Sequence, residues 1–336
     1  MPRDPQRPKN TKERTRDSRK RRHDDHEPAR VSRRALTVAV VGAGRVGTAL
    51  ALALADAGHQ VNALVARRPA HARRAARLFP APRPAALAAA QLDALPPADL
   101  LLIATPDDQI AATAKRLARI ETERARHAPS SARVALHTSG ALSSDELDGL
   151  RATGFAVGSL HPLVAVSDAR TGARALGGAF FCVEGDARAV RLARQVVRAL
   201  GGRSLAIRPE SKALYHAAAV LAAGHTVALF DVAAELLVRC GVSATEARRA
   251  LAPLSAGALA NLAAAPDPAR ALTGPFARGD AATVRRNLAA LAAVDDKDAL
   301  RLYALLGARA LRLARQTGVD AAAAAEIEAA LAAVLK

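Results

Sequence analysis

Three glycines stand in the run Gly42-Ala43-Gly44-Arg45-Val46-Gly47. That spacing suits one kind of chemistry. The first glycine permits a tight turn, the second leaves room for the backbone to approach a pyrophosphate, and the third lets a helix pack closely on a strand. The unpaired N–H groups at the start of the helix that follows then face phosphate oxygens, with Arg45 and Val46 of the turn beside them. A second set lies farther on. Lys212 and His216 are four residues apart and share one helical face. A cation there could donate a proton to the oxyanion formed when a carbonyl accepts hydride, and burial would lower the lysine's pKa toward a useful range. On spacing alone, Lys212 reads equally as a surface helix residue and His216 as a satisfied core histidine. Thr105, His137, Ser139 and His161 form a third set of polar residues, each just after an apolar run.

The elements that must position these residues are legible in outline. ALTVAVV, ending at Val41, reads as a buried parallel strand, Thr48 to Ala57 as a helix stopped by Gly58, and QVNALVA as the second strand. Strand, glycine run, helix and strand within about 30 residues give the context of a dinucleotide site. The second strand ends at Ala66 rather than at the acidic residue that would bind a ribose 2′-OH. Arg67 and Arg68 follow, and arginine favours a 2′-phosphate, so NADP (NADPH) is expected over NAD; the alternative is that these arginines only cap a helix. Further strands are expected at Leu100 to Ala104, Val134 to Leu136, Phe155 to Leu160 and in AFFCVEG and GRSLAIRP, with helices at Ile110 to Ile120 and Ala187 to Leu200. In such sheets ligands bind outside the carboxyl ends of the strands, where the third set falls. From Glu210 strands cease. Helices are expected over Lys212 to Cys240 with a break at Gly224, then Thr245 to Ala264, Asp280 to Val294, Lys297 to Gln316 and Asp320 to Lys336. Ala265 to Gly279 is expected to be a Pro- and Gly-rich loop, with Arg278 a candidate clamp for an anionic substrate group.

Composition narrows the classes. The 336 residues carry a net charge of +18, hydrophobic residues make up 51%, and there are two Cys and no Trp. Two Cys exclude a disulfide framework and a multi-Cys metal site, so no metal is expected. Aromatics at 2% argue against a base-stacking platform. No apolar run of membrane-spanning length and no secretory leader are expected, which reads as a cytoplasmic protein without membrane partners. Residues 1–34 hold 13 Lys or Arg against six Asp or Glu and almost nothing apolar, so they are expected to form a disordered basic tail. Arg19 to Arg22 raises a polyanion-binding arm as an alternative, and a start site nearer Val31 as another. Nucleic-acid binding is not the expected role. The domains read as the tail, an α/β Rossmann domain over 35–208, and an all-α domain over 209–336.

The segments VVGAGRVGTAL, LLIATPDDQI, HTSGAL, SLHPL, KALYHAAAV and TGPFARGD resemble those of Rossmann-like proteins carrying the C-terminal domain of unknown function 2520. These sit beside the deazaflavin-type NADP reductases and the 6-phosphogluconate and 3-hydroxyisobutyrate dehydrogenases. The resemblance implies a helical C-terminal domain like that of 6-phosphogluconate dehydrogenase, a homodimer, and a small-molecule substrate in the interdomain cleft. It implies NADP held by Gly42, Gly44 and Gly47 with Arg67 near the 2′-phosphate. It puts the catalytic lysine at Lys212 and the substrate loop at Ser139 and Gly140. The related dehydrogenases carry an Asn after that lysine, whereas this chain reads Ala222-Ala223-Gly224-His225, which leaves His216 or His225 as candidates for the same work. The expected activity is an NADP-dependent oxidoreductase of a small oxo or hydroxy acid, and the alternative is a non-catalytic NADP-binding sensor or scaffold.

Overall fold

The computed structural model describes residues 34–125, 133–294 and 296–336. The basic tail lies outside the described residues, apart from Arg34.

The chain opens as β1 (Thr37–Val41), α1 (Arg45–Asp56), β2 (Gln60–Ala66), α2 (Pro69–Ala76), β3 (Ala85–Ala88), β4 (Leu100–Ile103) and α3 (Asp107–Ala125). It continues as β5 (Val134–His137), α4 (Asp148–Arg151), β6 (Ala156–Pro162), α5 (Ala169–Leu176), β7 (Phe180–Gly185), α6 (Ala187–Ala199) and β8 (Arg203–Ala206). One eight-stranded sheet results, in the order β3-β2-β1-β4-β5-β6-β7-β8. All neighbouring pairs are parallel except β6 with β7. The order reverses between β1 and β4, and that switch point opens the ligand crevice of a doubly wound sheet.

Strand side chains alternate between the two faces. Val38, Val40, Leu64, Leu102 and Leu136 pack with Leu50 and Leu54 of α1 and with Ala193 and Val197 of α6. Ala39, Val41, Val65, Ile103 and Val157 pack with Ile110, Ala114 and Leu117 of α3. Both faces are covered, which explains why these strands read as continuous apolar runs.

The rest is helical: α7 (Lys212–Ala222), α8 (Gly224–Arg239), α9 (Ala244–Ala264), α10 (Pro268–Ala271), α11 (Pro275–Arg278), α12 (Ala281–Ala293), α13 (Lys297–Gln316) and α14 (Ala321–Leu335). α12, α13 and α14 enclose a core of Val284, Leu288, Leu311, Ile327 and Leu331. The segment expected to be a loop, Ala265 to Gly279, instead holds the single-turn helices α10 and α11. Asp267 caps α10 with its carboxylate on the N–H groups of Ala269 and Arg270, and Pro268 and Pro275 sit at helix starts, where a missing N–H costs nothing.

α7, α8 and α9 are covered poorly. Lys212, Ala234 and Ala247 are the only buried residues of α7, α8 and α9 respectively, while Leu214, Leu221, Val227 and Leu254 are exposed. The expectation that no segment is of membrane-spanning length is corrected here. The helical segment Pro209–Arg239 is long and apolar enough to cross a membrane by length and composition. Residues 213–230 contain no Asp, Glu, Lys or Arg, and the interruptions that obscured the run are His216, Gly224, His225 and Thr226.

Candidate functional site

At the carboxyl end of β1 the chain turns at Gly42, whose φ of 109° is left-handed backbone that a side chain resists. Space forbids a side chain there too, because a Cβ on Gly42 would strike the Ala104 carbonyl group beyond β4, and one on Gly47 would strike the Gly42 oxygen. Gly44, the N-cap residue of α1, has nothing within 4 Å of where its Cβ would be. The three glycines therefore match the three demands of a dinucleotide turn: conformation, open approach and close packing.

These ends line a cavity of about 650 Å³ with Gly42, Gly44, Arg67, His71 and Thr105 on its wall. The Thr105 hydroxyl is buried there without a hydrogen-bond partner in the protein, and an orphaned polar group of that kind fits a site built for a polar ligand. Arg45 and Val46 contribute the first turn of α1, which has no acidic residue to oppose an anion. Arg67 reaches the cavity. Arg68 does not; it is the exposed N-cap residue of α2. His71, in the first turn of α2, was not singled out from the sequence, and its only signal was its nearness to Arg67.

A second group gathers one strand along and is joined to the first by a single hydrogen bond. Ser139, after β5, donates through Oγ to Asp107 Oδ2 at 2.8 Å, and Asp107 opens α3 beside the cavity. Ser139 Oγ also accepts from the N–H groups of Ala141 and Leu142. His137 is fully buried and fully occupied: Nδ1 accepts from the Ser139 N–H at 3.2 Å, and Nε2–H donates to the Ser143 oxygen at 3.0 Å. Burial, assisted by the Lys212 charge, brings its pKa down to about 4. His137 thus shapes the turn from within the protein.

Lys212 lies behind the same turn. Its Nζ donates to the Ser139 main-chain oxygen at 2.8 Å and to Ser159 Oγ at 2.7 Å, and the residue is 1% exposed. Burial pushes its pKa down while Cys182, Glu184 and Asp107 push it up. Buried Glu184 accepts from the Ser144 N–H and hydroxyl at 2.8 and 2.9 Å, and burial raises its pKa.

In front of the turn stand two imidazoles. A Cβ on Gly140 would strike His216 Nδ1 and come within 2.9 Å of His161 Nε2. Gly140 is therefore a glycine for want of space rather than for conformation. The two rings meet edge to face, 5.7 Å apart, and His216 Nδ1 is buried without a partner. His161 Nδ1 lies 2.8 Å from Tyr215 Oη. Burial, then the charges on Lys212 and His216, bring the His161 pKa to about 4. Both rings line a cavity of about 350 Å³ with Pro162, Val164, Val220 and Gly224.

The structure so brings His161, His216, Gly140, Ser139 and Lys212 together. It does not bring Arg278 to them. Arg278 is exposed at the end of α11, which packs against α13 through Phe276 and Gly307, and it lines neither cavity. His225 is exposed on α8 and lines neither cavity, although its neighbour Gly224 lines the second. Among the described residues no group of His, Cys, Asp and Glu could hold a metal ion. Asp107, Ser159, Glu184 and Tyr215 were missed from the sequence, although all four stand inside segments already noted, TPDDQ, SLHPL, AFFCVEG and KALYH.

Sheet order, switch-point crevice and trailing helical bundle define a Rossmann-type α/β protein with a helical C-terminal domain. The family models place their boundary inside the sheet, with residues 22–162 matching a Rossmann-like domain and residues 179–310, which take in β7, α6 and β8, matching a domain of unknown function, DUF2520. The chain is a Rossmann-like protein carrying a C-terminal DUF2520 domain. None of the curated proteins matches it by sequence. Among solved structures it is similar to protein TM1727 from Thermotoga maritima, at 21% identity over 83% of this chain and 99% of that one, with a TM-score of 0.63. It is similar in the same measure, 21% identity and a TM-score of 0.63 over 83% of this chain and 98% of that one, to a Bacteroides fragilis protein described provisionally as an NADP oxidoreductase. A Plasmodium falciparum pyrroline carboxylate reductase with NADP bound shares 11% identity over 87% of this chain and 98% of its own, with a TM-score of 0.52. These likenesses are likenesses of fold.

Proposed function

We propose that the protein is an NADP-dependent oxidoreductase of a small oxo or hydroxy acid. The observation that carries this reading is the Asp107–Ser139 hydrogen bond, which couples the glycine-turn cavity to the turn faced by His161 and His216. Arg67 on the cavity wall, with Ala66 in place of an acidic residue, supports NADP over NAD. NADPH, when bound, would supply hydride to the substrate carbonyl carbon. The chain's own part is the proton. His216 donates it to the oxygen, His161 orients that oxygen, and Lys212 holds the Ser139–Gly140 turn from behind while its charge favours the developing oxyanion. A second copy of the chain covers α7 to α9. The exposed leucines and valines there support that arrangement.

A sensor without turnover is the second reading. It is favoured by Lys212, whose ammonium is committed to Ser139 and Ser159 rather than presented to a cavity. Titration of the protein against NADPH and NADH, followed by the dinucleotide's own fluorescence, tests binding, and the absence of Trp keeps that signal free of indole emission. No change with either dinucleotide would sink both readings. Tight NADPH binding without turnover of any member of an oxo-acid panel would select the sensor.

A further inference from the structure

The neutral imidazole of His161 carries one ring proton, and which nitrogen holds it decides whether the cavity is offered a donor or an acceptor. The answer lies in a chain of three side chains from three elements. Cys182, fully buried in β7, neighbours Tyr215 of α7, and Tyr215 Oη is 2.8 Å from His161 Nδ1 at the end of β6. The rings of Tyr215 and His161 stand edge to face, 5.5 Å apart and 89° to one another.

Two directions of donation are conceivable along this chain. In one, the thiol donates to the phenol and the phenol to Nδ1. In the other, Nδ1–H donates to the phenol and the phenol to sulfur. They are unequal. A thiol sulfur is a weak acceptor, whereas an imidazole nitrogen is a good one, so a phenol placed between them spends its proton on the nitrogen.

We propose that Tyr215, backed by Cys182, is a positioning residue that fixes His161 as the Nε2–H tautomer, so that a hydrogen-bond donor faces Gly140 and the cavity shared with His216. The ligand class follows. The cavity is matched to an oxygen that accepts, as in a carboxylate, a carbonyl or an alkoxide, and not to an ammonium or amide donor. This ligand class rests on the oxo-acid reading above, but the tautomer does not, since it is a property of the protein without cofactor. Burial keeps His161 neutral through physiological pH, so the assignment persists there.

The experiment is nitrogen-15 NMR of the imidazoles in the full chain at pH 7.5 without dinucleotide, with His161 identified by its loss in His161→Gln. The expected spectrum shows Nδ1 unprotonated and Nε2 protonated, with the Tyr215 hydroxyl proton protected from exchange. In Tyr215→Phe both ring nitrogens should move as Nδ1 loses its donor and the Nδ1–H form becomes populated. A protonated Nδ1 in the wild type would overturn the tautomer, and that result needs no variant to fold. So would ring nitrogens indifferent to Tyr215→Phe. Acetate and methylammonium then serve as probes of the ligand class: acetate should shift the Nε2–H resonance and methylammonium should not. A shift with methylammonium, or with neither, overturns the ligand class. Failure of NADPH binding in a separate titration would strike the oxidoreductase reading and leave the tautomer standing.

Discussion

The ammonium of Lys212 donates a 2.8 Å hydrogen bond to the main-chain oxygen of Ser139, a residue 73 positions earlier in the chain. This contact ties the first helix after the sheet to the turn that follows β5. Lys212→Met keeps the stem and removes the charge, leaving the Ser139 oxygen and Ser159 hydroxyl short of a buried donor. Breaking such a group from one side costs about 2–4 kcal/mol. Urea denaturation should show that loss, while affinity for NADPH stays within about two-fold because Lys212 lines neither cavity. Unchanged stability would mean that the two hydrogen bonds are not held in solution.

Gly140→Ala tests the crowding in front of the turn. Its Cβ would occupy the place approached by His216 Nδ1 and His161 Nε2, so an imidazole must move. Overpacking of this sort costs about 1–3 kcal/mol. Any oxo-acid reductase activity should fall at least about 100-fold, as when a proton donor is misplaced, with NADPH binding retained. Full activity in this variant would exclude the two histidines from the mechanism.

The parts of this architecture that were legible in the sequence are those where function and local geometry coincide. Gly42, Gly44 and Gly47 declare a turn because each spacing answers a steric demand within six residues. The rest depends on contacts that sequence distance hides. Lys212 and His216 were recognised as sharing a helical face, yet the sequence did not say that one would point behind the Ser139–Gly140 turn and the other in front of it. Arg278 looked like an anion clamp because its glycine-rich loop resembles one, but packing of Phe276 on Gly307 carries it elsewhere. β3 was missed because Ala85-Ala86-Leu87-Ala88 has helical composition, and only pairing with β2 makes it a strand.

Arg67 and Arg68 separate two meanings of the same pair of residues. Arg67 lines the glycine-turn cavity, whereas Arg68 is exposed at the N-cap position of α2 and makes no side-chain cap there. A charge-assisted bond to a 2′-phosphate is worth about 1.5–3 kcal/mol. Arg67→Ala should therefore weaken NADPH binding by about ten-fold or more and leave NADH binding unchanged, and Arg68→Ala should change both by less than about two-fold. Equal losses for NADPH and NADH on Arg67→Ala would remove the 2′-phosphate from the account.

The depressed pKa of His137 makes stability depend on acid. In the folded protein the ring titrates at about 4, below the ordinary 6.5 of the unfolded chain. Between those values the unfolded state binds the proton and the folded state does not, so stability falls as pH drops through that window and is regained above it. The gap corresponds to up to about 3 kcal/mol. His137→Asn can still accept from the Ser139 N–H but cannot titrate. It should be less stable at pH 8 yet lose less between pH 6.5 and pH 4 than the wild type. Parallel pH profiles from chemical denaturation would place the acid sensitivity elsewhere, with His161 the next candidate.

The exposed apolar face of α7 to α9 leads to the last prediction. Leu221 and Leu254 are 62% and 69% exposed, and the segment that contains Leu221 is apolar enough to span a bilayer. Such a surface needs a cover, and a second copy and a membrane make opposite demands on it. In a symmetric dimer each substitution acts twice, and each leucine withdrawn from a buried interface forfeits about 1.5–3 kcal/mol. Leu221→Asp with Leu254→Asp should therefore raise the dimer dissociation constant by at least about 100-fold in sedimentation, while the sheet domain keeps its affinity for NADPH. A membrane segment predicts a different pattern. The wild type would partition with membranes and resist extraction by carbonate, and a concentration-dependent dimer in detergent-free buffer would not form. A wild type that sediments as a monomer at every concentration and leaves membranes freely would refute both covers.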